Sequence, residues 1–259
     1  MKTFNIKTPL ATLVALCAAF STVQAQAEAG YGSSEYPLAN NYILIGLTQP
    51  LNSYLHSSEG GEPGIGYTGL YQGAKISFAN LQGQHYPAPN DNGVSVITPV
   101  SQPHRSMGSF NFSKIADADI YYGEWASGTD FSDDSHMVYY SGKDITRYIP
   151  SEDTAQYSIK GLSGYSSGEQ ISGTFSANFD DNTFTGSLSS TGLSYSLSGS
   201  IGGSAFNGSA TVSTTGTDTT VVNGMTSGHF FGDNAHQVAG YAEFSNDKAK
   251  NIAFGGTKS

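Results

Sequence analysis

From Gln170 to the C-terminus the chain alternates apolar and polar positions with a period of two. Ile171, Gly173, Phe175, Ala177 and Phe179 share one face, Asp180-Asp181-Asn182 supplies a turn, and Phe184, Gly186 and Leu188 resume that face. Thr191-Gly192 makes the next corner. Leu193, Tyr195, Leu197, Gly199 and Ile201 alternate again, Gly202-Gly203 turns the chain, and Phe206, Gly208, Ala210 and Val212 follow. Further strands are predicted over 221–231, 238–244 and 252–255. A meander of hairpins must hide its edges, and closure into an antiparallel up-and-down barrel of about eight strands does so. The inward face is apolar and the other is Ser, Thr and Asn, the reverse of a lipid-facing barrel, so this barrel is expected to be soluble.

Residues 30–160 are richer in Tyr and Pro, with longer loops and less regular strands. They read as a second β-rich domain, with strands predicted over 42–47, 74–81, 94–97, 109–112, 120–125, 137–141 and 155–159. One helical signal interrupts the all-β pattern: Pro50 opens a stretch of at most two turns over 51–59 and Gly60-Gly61 closes it. Leu51 and Leu55 would share a face of that short lid, with His56 beside them. The Gly/Ser run 161–168 marks the expected domain boundary, giving a β-rich domain over 28–163 and a barrel over 164–259.

The first residues change the picture next. Lys2 and Lys7 precede an apolar run from Leu10 to Phe20, and Ala25-Gln26-Ala27 offers a cleavage site, so residues 1–27 read as a secretory signal peptide. Leu16 before Cys17 is a poor fit to a lipidation site, which favours free secretion from a Gram-negative cell over anchoring at its surface. Without that segment no cysteine remains, which excludes disulfides, thiolate ligands and cysteine nucleophiles. It also removes two of the 11 basic residues and none of the 21 acidic ones. No basic stripe is left to neutralise phosphates, so nucleic acid is excluded as a partner.

Ser227-Gly228-His229-Phe230-Phe231-Gly232-Asp233-Asn234-Ala235, followed by Phe254-Gly255-Gly256, resembles the signature of transferrin-binding-protein-B-like barrels. Tyr121-Tyr122-Gly123-Glu124-Trp125 and Val138-Tyr139-Tyr140-Ser141-Gly142 are similar to the aromatic strands of the handle domain that precedes such barrels. A two-domain chain of this length resembles the hemophilin family. That resemblance implies a monomeric carrier of b-type haem, exported through a Slam-type outer-membrane translocon and delivering to a TonB-dependent outer-membrane haem receptor. Larger relatives bind host proteins, so a binding module for a host macromolecule is the alternative.

Without thiolates, haem iron would be held by imidazole, tyrosinate or methionine, and paired imidazoles suit transport. His136 precedes the strand at 137–141 and follows the acidic loop 130–135, at a strand mouth where a loop carboxylate or carbonyl could fix its tautomer; a surface histidine paired with those acids is the competing view. His56 on the short lid is the expected opposite ligand, with Leu51 and Leu55 packing on the porphyrin. His104 and His85, in polar proline-containing loops, are reserves. His229 and His236 flank the barrel signature and are expected to serve the fold. Tyr54, Tyr42, Tyr67 and Trp125 are candidate neighbours whose ordinary role is sheet packing. No G-x-S-x-G, H-E-x-x-H or G-x-G-x-x-G motif is present, and no catalysis is expected.

Overall fold

The computed structural model describes residues 28–35, 42–52, 57–70, 73–83, 86–98, 107–150, 154–166, 168, 170–215 and 220–259. In chain order the N-terminal strands are β1 (Ala29–Ser33), β2 (Ile43–Leu47), β3 (Leu51–Asn52), β4 (Ser57–Ser58), β5 (Pro63–Tyr67) and β6 (Lys75–Ser77). A single helical turn, α1 (Phe78–Leu81), leads on to β7 (Val94–Ile97), β8 (Ser109–Lys114), β9 (Ile120–Ala126) and β10 (Met137–Lys143). Then come β11 (Ala155–Leu162), β12 (Ile171–Asn178), β13 (Thr183–Ser190), β14 (Leu193–Gly202), β15 (Ala205–Thr214), β16 (Val221–Phe231), β17 (Gln237–Glu243) and β18 (Ile252–Lys258).

β11 to β18 form a closed antiparallel barrel in which each strand pairs with its sequence neighbours and β18 returns to β11. The apolar face read from the sequence is the interior: Phe175, Phe184, Phe206, Phe230 and Phe254 meet in a single aromatic core. The inward glycines make room for those rings. A Cβ on Gly228 would collide with the Phe206 ring, which is why a small residue faces a large one across the β15–β16 pair.

The barrel begins earlier than the sequence indicated. β11 is its first stave, with Ala155, Tyr157 and Ile159 buried inside, so the domains meet before residue 155 and not in the run 161–168. Gly161 lies within β11, where a Cβ would press on Ile252. The rest of the run forms the β11–β12 connection, whose Gly164 and Tyr165 dock on the N-terminal domain.

That domain is built on a five-stranded antiparallel sheet in the order β1-β10-β9-β8-β7. One face carries Phe110, Phe112, Tyr121, Trp125, Met137 and Tyr139, packed beneath a small β2-β5-β6 sheet and α1. The opposite face carries Ile120, Tyr122, Val138 and Tyr140, packed on the outer wall of the barrel with Phe231, Ala239 and Ala253. The signature Phe230-Phe231 therefore splices two cores, Phe230 pointing into the barrel and Phe231 into the seam.

Two local expectations are corrected. The short helix over 51–59 is a β3–β4 ladder instead, with Leu51 opposite Ser58 and Asn52 opposite Ser57. Serine and asparagine are weak helix formers, and a helix this short has no packing to offset its nucleation cost. The strand expected over 74–81 stops at Ser77, whose hydroxyl caps α1 by accepting from the Asn80 N–H at 3.2 Å. No helix among the described residues is long and apolar enough to cross a membrane.

Candidate functional site

His136 stands where the sequence placed it, at the mouth of β10. The ring is fully buried on the barrel-facing side of the sheet. Its Nδ1 lies 2.8 Å from the Lys248 carbonyl, and its Nε2 lies 3.0 Å from Glu124 Oε2. Both nitrogens are thus engaged by protein in this structure, which gives the ring a part in joining the two domains.

Glu124, the partner of His136, is the residue that sequence reasoning missed. It is also fully buried. Its Oε1 accepts from Asn111 Nδ2 at 2.9 Å and from the Tyr165 N–H at 2.7 Å, and its Oε2 accepts from the Gly164 N–H at 2.7 Å as well as facing His136. A buried carboxylate is tolerated only when hydrogen bonds replace its water. Here those bonds come from β8, from β10 and from the β11–β12 connection of the barrel, so the carboxylate fastens one domain to the other. The Asn251 amide adds a bond to the His136 carbonyl at 3.3 Å. An acid inside the aromatic run Tyr121-Tyr122-Gly123-Glu124-Trp125 was the available signal, because an unpaired glutamate is almost never fully buried.

A second polar pair crosses the seam nearby. The Tyr140 hydroxyl lies 2.6 Å from His229 Nδ1, and burial pushes the His229 ring below its ordinary value. The His229 ring lies in the seam between the domains, while His236 is exposed, its backbone carbonyl accepting the Lys258 N–H at 2.8 Å.

The other face of the handle sheet is where a flat apolar ligand has material to pack against. Tyr67 and Trp125 share that cluster with ring centroids 6.4 Å apart, and Tyr42 is packed against it. Its half-buried rim includes Tyr42, Leu70, Tyr86 and Met107, each adjoining a segment outside the described residues. His85 and His104 belong to two of those segments, next to Tyr86 and Met107, and His56, Leu55 and Tyr54 fall in the β3–β4 connection, also outside the described residues. Leu51 is half-buried in β3. The β3–β4 hairpin leaves the Leu47–Pro63 end of the β2–β5 ladder, and α1, from which the His85 segment follows, leaves β6 at Ser77 near the same end. Met107, whose carbonyl accepts the Trp125 indole N–H at 2.7 Å, lies at the opposite end with Tyr67. On this face the Ser141 hydroxyl is the one buried side-chain polar atom without a partner among the described residues.

Among the described residues no group of three or more His, Cys, Asp or Glu side chains is placed to hold a metal ion.

Comparison with known proteins agrees with this division of the chain. Residues 24–137 match the model of the HphA N-terminal heme-binding domain, and residues 147–258 match that of the HphA C-terminal domain. Among solved structures, HpuA from Kingella denitrificans, crystallised in complex with human haemoglobin, aligns over 91% of this chain and 88% of its own, with 16% identity and a TM-score of 0.54. Isotype 1 transferrin binding protein B from serogroup B Neisseria meningitidis aligns over 73% of this chain and 38% of its own, with 15% identity and a TM-score of 0.47. At 16% identity the likeness to HpuA speaks to fold alone. The two HphA domain models, matched in order and nearly end to end, place the chain in the hemophilin-type family.

Proposed function

We propose that the chain is a secreted haem carrier that binds one b-type haem in its N-terminal domain and delivers it to an outer-membrane receptor. The observation that carries this reading is the match of residues 24–137 to a heme-binding domain family. The half-buried rim of the handle core, with Tyr42, Leu70, Tyr86 and Met107, offers apolar side chains suited to packing on a porphyrin. His56 supplies one axial imidazole, with Leu51 and Leu55 packing beside it. The second imidazole would come from His104 or His85. Bound haem supplies the iron that is carried; the protein holds it with paired imidazoles and excludes water.

The test is a hemin titration of the exported chain followed by visible spectroscopy. A sharp endpoint at one haem per chain is expected, with a Soret band that shifts in His56→Ala and in one of His85→Ala or His104→Ala. A preparation that stays colourless yet captures haemoglobin or transferrin from solution overturns the carrier reading in favour of host-protein binding. Delivery is tested separately, by whether haem-loaded chain restores growth of iron-starved cells that carry the receptor.

A further inference from the structure

β7 forms one edge of the handle sheet, with only β8 beside it. At its start the edge is capped: the Asn90 N–H donates to the Val94 carbonyl at 2.9 Å, and the Val94 N–H donates to Asn90 Oδ1 at 3.0 Å. Both backbone groups of Val94 therefore point away from β8, so Val94 and Ser113 are a pair without ladder bonds. The alternation of an antiparallel ladder makes Val96 and Asn111 the next such pair. The N–H and C=O of Val96 consequently face away from β8, beyond the Asn90 cap, where no described strand pairs with them. Val96 is 38% exposed where Val94 is 1%.

A cleft of about 380 Å³ adjoins that edge on the barrel-facing side of β7 and β8. Val96, Thr98 and Asn111 line it from the sheet, Asp130 and Phe131 from the connection after β9, and Tyr165 from the barrel's docking loop. Asn111 is 1% exposed and spends its amide protons on Glu124 and on the Tyr165 carbonyl at 3.0 Å, while its side-chain oxygen has no protein partner among the described residues. Among the described residues Asp130 is the sole charged one lining the cleft. Its carboxyl is held below the usual range by hydrogen bonds from the Ser132 hydroxyl at 2.6 Å and N–H at 2.8 Å.

An outward row of backbone donors and acceptors beside apolar side chains is matched by an extended polypeptide, which supplies the complementary row. The carboxylate in the wall, and the net charge of −10 on the whole chain, select one that carries positive charge. We propose that this cleft receives an extended, lysine- or arginine-bearing segment of a partner protein, which adds to β7 as a sixth strand of the handle sheet. A second copy of this acidic chain is disfavoured, since paired β7 edges would bring two Asp130 loops together. The site lies on the barrel-facing side of the sheet and does not depend on the haem reading.

The probe is a blocked six-residue peptide of alternating valine and lysine, titrated into the full ¹⁵N-labelled chain. Saturable amide shifts are expected at Val96, Thr98, Phe131 and Tyr165. Val96→Pro removes the outward N–H without breaking a bond to β8, and binding should weaken about tenfold; Asp130→Asn should weaken it several-fold. The same peptide N-methylated along one edge, added to the unaltered chain, should not bind, which keeps the test intact if Val96→Pro fails to fold. Equal binding of a valine–glutamate peptide, shifts spread over the acidic surface, unaltered affinity of the N-methylated peptide, or no shift at all overturns the proposal. So does self-association through these same amides in the absence of peptide.

Discussion

The two domains solve the problem of hiding a sheet in opposite ways. The barrel pairs each strand with its neighbour in sequence and buries one face around a shared aromatic core, leaving the other to Ser, Thr and Asn. The handle pairs β1 with β10 and covers both faces of its sheet, one with the small β2-β5-β6 layer and the other with the barrel itself. The barrel is therefore self-contained, whereas the handle depends on its neighbour for half of its core and on Glu124 for the fastening. What the difference teaches is that the barrel acts as a platform, and the connections above the handle are where a ligand would be carried.

Removing the fastener should break the comparison most severely. Glu124→Leu leaves two backbone N–H groups, the Asn111 amide and His136 without their acceptor, a loss of about 5 kcal/mol. Trp125 is the single tryptophan and lies in the handle core, so its fluorescence reports that domain. Its unfolding midpoint should fall well below the far-UV circular dichroism midpoint, which is weighted by the barrel; coincident midpoints would show that the seam does not depend on Glu124.

Phe175→Ala empties the centre of the barrel and should cost about 4 kcal/mol. Here the order reverses, with dichroism lost before Trp125 fluorescence in urea, or both lost together if the handle cannot stand without its platform. Retention of the wild-type midpoint would mean that the aromatic core is not the barrel's source of stability.

Alkali sharpens the comparison further. Burial pushes the Tyr195 hydroxyl from 10.0 up to about 12, so the unfolded chain releases that proton first. Stability is full below about pH 10 and falls as pH rises from there to about 12, by about 2 kcal/mol for this group. Tyr195→Phe should give a shallower loss between pH 8 and pH 11 in urea titrations, after a smaller constant cost for its hydrogen bond to Ser163 at 3.1 Å.

The smallest effect is at the seam. His229 is neutral in the folded state because burial lowers its pKa from 6.5. Unfolding takes up a proton below that value, so the stability this ring contributes is present above about pH 6.5 and lost on acidification. Screening limits the effect to roughly a few tenths of a kcal/mol. His229→Asn should flatten the acid limb of the stability profile by that amount, and an unchanged limb would contradict the assignment.

The barrel was legible because its register is local: alternation at Ile171–Phe179 or Leu193–Ile201 states which face is inward, and the next turn confirms it. β1 and β5 escaped notice because Ala-Gly-Tyr-Gly-Ser and Pro-Gly-Ile-Gly-Tyr look like loops. Their glycines are required by close approach, as at Gly64, where a Cβ would meet the Ile76 carbonyl at 2.5 Å, and such contacts are long-range. Proline and glycine bracket helices and paired strands alike, so Pro50 and Gly60-Gly61 do not tell the β3–β4 ladder from a helix. His136 was found as a special position, but its partners Glu124 and Lys248 lie in other strands and another domain, so its role as a fastener was not readable from its acidic neighbours.

The central claim is that haem sits on the handle with His56 on its iron while His136 holds the domains together. Soret and α/β bands of the hemin complex, compared between wild type, His56→Ala and His136→Gln at matched folded fraction, test it directly. The account predicts altered bands for His56→Ala, and wild-type bands with a lowered unfolding midpoint for His136→Gln. Altered bands in the His136 variant with unchanged stability, or no hemin bands in the wild type, would contradict it.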